Sequence, residues 1–135
     1  MNNIHYPAFF HKAEEGGYWV EFPDLPGCVT QGEDMDEAYK MAVEAMGLYL
    51  EDLVDDEEKL PRASSLDDIE VQPGFTIVMI PFDYLEYKRT YRKKAVKKTL
   101  SIPEWLNDLA LKENVNFSQV LQDALIEKLV TSKNL

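Results

Sequence analysis

One cysteine, Cys28, is the whole thiol complement of the chain, so no internal disulfide can form and a reducing compartment, the cytoplasm, is expected. Long apolar runs are missing: nothing approaches the ~20 residues that cross a bilayer. The opening MNNIHYPAFF lacks the basic leader and apolar run of a signal peptide. Repeats and low-complexity tracts are also missing. Only two histidines occur, His5 and His11. Six residues apart on one strand they would share a face without converging, and Cys28 has no neighbouring His or base. No metal site, cofactor or nucleophile is expected from them.

Basic residues are scarce in the first part of the chain. Residues 1–87 carry four basic and twenty acidic side chains, a net of −16, whereas residues 88–135 carry ten basic and five acidic ones, a net of +5. The overall −11 therefore averages two unlike parts. Seven basic residues and no acidic one fall within residues 88–98. A split of this kind accompanies a nucleic-acid module joined to something else, although a solvated basic linker has the same composition.

What is present reads as α+β. Residues 4–12, 18–22 and 28–32 are rich in β-formers, with Gly16-Gly17 as a hairpin turn and Pro23-Asp24-Leu25-Pro26-Gly27 as a rigid loop. Asp34 suits a helix N-cap, with Glu37 at the capping-box position. Ala38, Ala42, Ala45, Met46, Tyr49 and Leu53 then recur at helical spacing, while Asp36, Glu37, Lys40, Glu44 and Glu51 are expected to face away. The acidic run at residues 55–58 should fray the helix end. Residues 75–80 form an apolar run between Gly74 and Pro81, a buried strand. The order β-β-β-α-β gives a small sheet covered by a helix on one face. On the second strand Trp19 and Glu21 point to the uncovered face, which suits a docking surface, or a site beneath a loop or a second subunit.

The motif Val96-Lys97-Lys98-Thr99-Leu100-Ser101-Ile102-Pro103 alternates, with Leu100 and Ile102 on one face and Lys97, Thr99 and Ser101 on the other. Pro103 stops the strand and opens a helix with Leu106, Leu109 and Ala110 as its stripe. Asn116 caps a second helix, striped by Val120, Leu121, Ala124, Leu125 and Leu129. A strand and two helices in under forty residues are too small to fold alone without disulfide or metal. A two-fold dimer solves this: the two strands pair antiparallel and four helices share one core. Lys97, Thr99 and Ser101 of both chains then form a ribbon for base edges in the major groove. Lys94 and Lys98, with the helix start at Asn116, Phe117 and Ser118, would hold phosphates. A four-helix dimerisation clip without DNA is the other reading of these residues.

Residues 96–130 resemble the ribbon-helix-helix repressor family in the KKTLSI strand, its proline stop and the Asn-x-Ser helix start. Residues 4–80 resemble the HicB antitoxin family, through GGYWVEFPDLPGCVTQG followed by Asp36-Glu37-Ala38. The resemblance implies a truncated RNase H-like domain at residues 1–82, a basic linker at 83–95 and a ribbon-helix-helix DNA-binding and dimerisation domain at 96–135. It also implies a type II toxin–antitoxin system. The partner would be a HicA-like toxin, a small ribonuclease that cleaves mRNA, bound through Trp19, Glu21 and Asp24. The second ligand would be double-stranded operator DNA of the chain's own operon, held by a homodimer or higher homo-oligomer. An RNA-binding toxin should be basic, and a −16 domain complements it. Although the implied fold is RNase H-like, Asp24, Glu33 and Asp34 lie in loops or at a helix cap and form no converging set, so no enzyme is expected. From another class, a ligand-sensing repressor would need a closed apolar pocket in the first domain.

Overall fold

The computed structural model describes residues 4–130. The chain divides into two compact units, one ending at Lys88 and the next starting at Arg89. The architecture is mixed α+β. The first unit holds β1 (Ile4–Lys12), β2 (Tyr18–Glu21), β3 (Val29–Gly32), α1 (Met35–Asp55), a 3-10 turn at Leu66–Asp68 and β4 (Phe75–Phe82). The expected β-β-β-α-β order is observed. The strands form one antiparallel sheet in the order β3-β2-β1-β4, with Phe10 opposite Val20 and Thr76, and Tyr6 opposite Ile80.

Period-two alternation puts Tyr6, Ala8, Phe10, Val20 and Ile80 on the face that meets α1, and all are buried. From α1, Ala38, Ala42, Met46 and Leu50 recur every four residues along the buried stripe, flanked by partly buried Ala45, Tyr49 and Leu53. Small residues along this stripe let helix and sheet approach closely. A β-carbon on Gly32 would strike the backbone of Ala38, so α1 rests directly on the end of β3. Asp34 caps α1 by accepting from the Glu37 N–H at 2.8 Å, while Glu37 reaches back to the N–H of Glu33, one residue before the usual box position.

Two expectations for α1 are corrected. Glu51 does not face solvent: it is 4% exposed and lies against Lys88. Nor does the acidic end fray. Glu57 adopts φ 57°, and the N–H groups of Glu57 and Glu58 donate to the carbonyls of Val54 and Leu53, which is a Schellman cap. A second helix, α2 (Tyr84–Tyr91), occupies much of the segment read as linker. Asp83 caps it through the Glu86 N–H, and Tyr87 is buried on α1 at Gly47, where no β-carbon stands in its way.

The second unit contains α3 (Glu104–Lys112) and α4 (Phe117–Leu129). Asn114, at φ 54°, ends α3 in another Schellman cap, its N–H donating to Leu111 and that of Val115 to Ala110. Asn116 caps α4 by accepting from the Gln119 N–H, while the Gln119 side chain turns forward to Asp123. Residues 93–103 form no strand in the single chain, and among the described residues beyond Lys88 none is buried.

Candidate functional site

The sheet face turned away from α1 is built from cross-strand rows. One row runs Gln31, Trp19, His11, Phe75, and the next runs Val29, Glu21, Phe9, Ile77. In the first row the His11 imidazole stacks on Trp19 with ring centroids 3.8 Å apart and planes 6° from parallel. Phe75, on edge strand β4, leans on two residues of β1: it stacks on Phe9 at 4.4 Å and tilts against His11 at 5.3 Å. Such pairs add roughly 0.5–1.5 kcal/mol each beyond simple burial. The result is a stiff aromatic floor on a face that still leaves Trp19 41% exposed.

Residues 69–74 pass beside this floor on the way into β4. Ile69, Glu70 and Pro73 form one wall of a shallow, open groove over Phe9, His11, Glu21 and Phe75. Glu21 Oε2 lies 3.8 Å from His11 Nε2, beyond hydrogen-bond reach. Trp19 and Glu21 therefore share the outer face, as the alternation required. Asp24 does not join them. Both its oxygens are engaged at 2.7 Å by the N–H and hydroxyl of Ser64, which ties the Pro-rich loop to the segment after α1. Tyr6 fastens the same segment by donating to the Pro61 carbonyl at 2.7 Å.

At the far end of α1, Lys88 Nζ sits 2.8 Å from Glu51 and 3.2 Å from Asp55, and Tyr84 donates its hydroxyl to Asp55 at 2.8 Å. Hydrogen bonds to the two carboxylates hold the Lys88 ammonium above its usual range, outweighing its desolvation. Burial, then the bond to Asp55, pushes Tyr84 upward as well. Burial likewise raises Cys28 to about 11, leaving it an inert thiol. Among the described residues no group of three His, Cys, Asp or Glu is placed to hold a metal ion.

In the second unit Lys94, Lys97, Lys98, Thr99 and Ser101 are all exposed. So are the apolar residues beside and after them: Leu100, Ile102, Trp105, Leu106, Leu109, Val120, Leu125 and Leu129. At the start of α4, Asn116, Phe117 and Ser118 are exposed, and the Asn116 cap satisfies Gln119. The preceding amides at this helix end have no intrahelical acceptor, as at any helix start.

Sequence reasoning missed α2, the Glu51–Lys88 pair and the His11–Trp19 stack. Signals for the first existed, because Tyr84, Tyr87 and Tyr91 fall at helical spacing behind an Asp83 cap. The stack depends on strand register, which composition does not disclose.

An α+β domain with an open, acid-rimmed aromatic face, followed by a basic segment and two helices whose stripes lie uncovered, defines a protein of surfaces, with its distinguishing side chains on faces. Residues 6–125 match the family described as HicB-like antitoxin of bacterial toxin–antitoxin system, and the chain belongs to that family. It is 43% identical over 61 residues to antitoxin HicB 1 of Photorhabdus laumondii, a match covering 45% of this chain and 39% of that protein. The chain thus spans well under half the length of that relative. It is 30% identical over 106 residues to an uncharacterised 14.9 kDa protein of Haemophilus phage HP1, covering 75% and 74%. Its fold is similar to a chain in a toxin–antitoxin complex from Streptococcus pneumoniae, with TM-score 0.58 and 30% identity over 94% of this chain and 99% of the other. No helix among the described residues is long and apolar enough to cross a membrane.

Proposed function

We propose that the chain is a cytoplasmic antitoxin that neutralises a HicA-like ribonuclease by direct binding through its first unit, and represses its own operon through its second. The carrying observation is the family match, which runs through both units from residue 6 to residue 125. The similar chain from Streptococcus pneumoniae belongs to a toxin–antitoxin complex, which supports a protein partner for the first unit. The −16 net charge of residues 1–87 favours a basic partner and speeds its capture. Trp19 and Glu21 are the contact residues of this reading, while Asp24 acts through the loop it ties down. The open groove beside Phe9 suits a protein surface better than an enclosed metabolite, so the ligand-sensing alternative gains no support.

For the second unit the reading is a ribbon-helix-helix dimer. Uncovered Leu100, Ile102, Leu106, Leu109, Val120 and Leu125 are the surface that a second copy would bury, and residues 96–102 would find strand partners across the two-fold axis. Lys97, Thr99 and Ser101 would then face base edges, with Lys94, Lys98 and the amides at Asn116, Phe117 and Ser118 on phosphates. The first unit is read as truncated RNase H-like, with no catalytic residue and no cofactor assigned.

The direct test pairs the purified chain with a purified HicA-like ribonuclease toxin. Equimolar chain should stop that protein from cleaving labelled mRNA, and co-expression should restore growth. Continued cleavage with excess chain would refute the antitoxin role.

A further inference from the structure

We propose that the groove between the outer sheet face and residues 69–74 receives an arginine side chain from a basic protein partner. The inference takes only the partner's identity from the antitoxin reading; the groove's chemistry stands on its own residues.

Three features of the groove converge on a guanidinium. The floor is aromatic, with Phe9 stacked on Phe75 and His11 beside them, held from behind by its stack on Trp19, and a guanidinium plane lies well on such rings. Two carboxylates, Glu21 on the sheet and Glu70 on the wall, flank the floor. Among the described residues neither is paired with a lysine or arginine, and the one charged-type contact of Glu21 is His11, at 3.8 Å. The third feature is His11 Nε2, which is out of contact with solvent and has no hydrogen-bond partner. A buried nitrogen without a partner is costly, and a small tilt of the imidazole would let it meet a donor arriving beside Glu21.

Arginine fits better than lysine because it brings several N–H donors in one plane, able to engage a carboxylate in pairs while stacking. An apolar partner residue would leave Glu21 and Glu70 desolvated and unpaired, and an acidic one would meet a domain of net −16. The groove is shallow and open, so a side chain projecting from a folded surface can enter without moving the backbone.

The test is an NMR titration of the full chain with N-acetyl-arginine methylamide, and in parallel with its citrulline counterpart, which keeps the shape and removes the charge. Saturable shifts of the Phe9, His11 and Phe75 ring signals are expected with the arginine compound alone. Glu21→Gln, whose spectrum reports whether the fold is kept, should weaken the response by ~10-fold, the order expected for one charge-assisted contact. Equal shifts with citrulline, or none at these residues with arginine, would overturn the assignment. A HicA-like toxin is assayed separately with the wild-type chain. Its failure to bind while the arginine response persists would remove the antitoxin reading and leave the groove assignment standing. Binding of that protein without any arginine response would do the reverse.

Discussion

Glu51 is buried because Lys88, carried in on α2, meets it at 2.8 Å; without that ammonium the carboxylate would have no reason to stay inside. Lys88→Ala should cost about 2 kcal/mol, below the range for fully buried pairs because the lysine keeps some exposure. The double variant Glu51→Leu with Lys88→Met should recover most of it, as read from urea midpoints. Gly32→Ala tests the contact between β3 and α1. Its new methyl would meet helix backbone, which cannot swing aside, so a loss of about 2 kcal/mol or more is expected in thermal melts. The titrations give a third prediction. Unfolded Cys28 loses its proton near its ordinary value of 9.0, but the folded thiol holds it to about 11. Between those values the unfolded chain binds fewer protons, so stability must fall as pH rises. Lys88, also raised, extends the loss above 10.5. Melting temperature should therefore hold below about pH 9 and decline above it, with a shallower decline in Cys28→Ala.

At the scale of elements, the strands and α1 were legible because each obeys one period over enough residues: two in β1, and four-residue steps of Ala38, Ala42, Met46 and Leu50 in α1. The caps at Asp34 and Asn116 were legible because a local side chain decides them. What escaped was long-range. Glu51 reads as solvated until Lys88 is placed next to it, and α2 reads as linker because its basic residues mask three tyrosines at helical spacing. Asp24 looked available for a partner, and only the fold brings Ser64 to occupy both its oxygens. The structure of α2 sets where the first unit can be cut. A chain ending at Arg92 should keep the melting transition of this unit, whereas one ending at Asp83 loses the Tyr87 ring from its seat on Gly47 and about 3 kcal/mol with it. Circular dichroism melts of the two fragments decide this.

For the whole molecule, the charge split and the uncovered helices belong to one account. The acidic unit would repel DNA, so under the proposed function operator contacts are expected to be concentrated in the basic residues from Lys88 onward. Lys97→Ala with Thr99→Ala should abolish operator binding in gel shifts while leaving the oligomeric state unchanged, and affinity for operator should fall steeply as salt rises. Both rest on two chains joining through residues 96–102, since a single chain leaves Leu100 63% and Ile102 45% exposed and buries nothing beyond Lys88 among its described residues. Sedimentation equilibrium of the full chain combined with amide hydrogen exchange tests that claim most directly. The account predicts a dimer or larger assembly at micromolar concentration, with slow exchange in the 96–102 segment. A monomer whose α3 and α4 amides are nevertheless protected would contradict it.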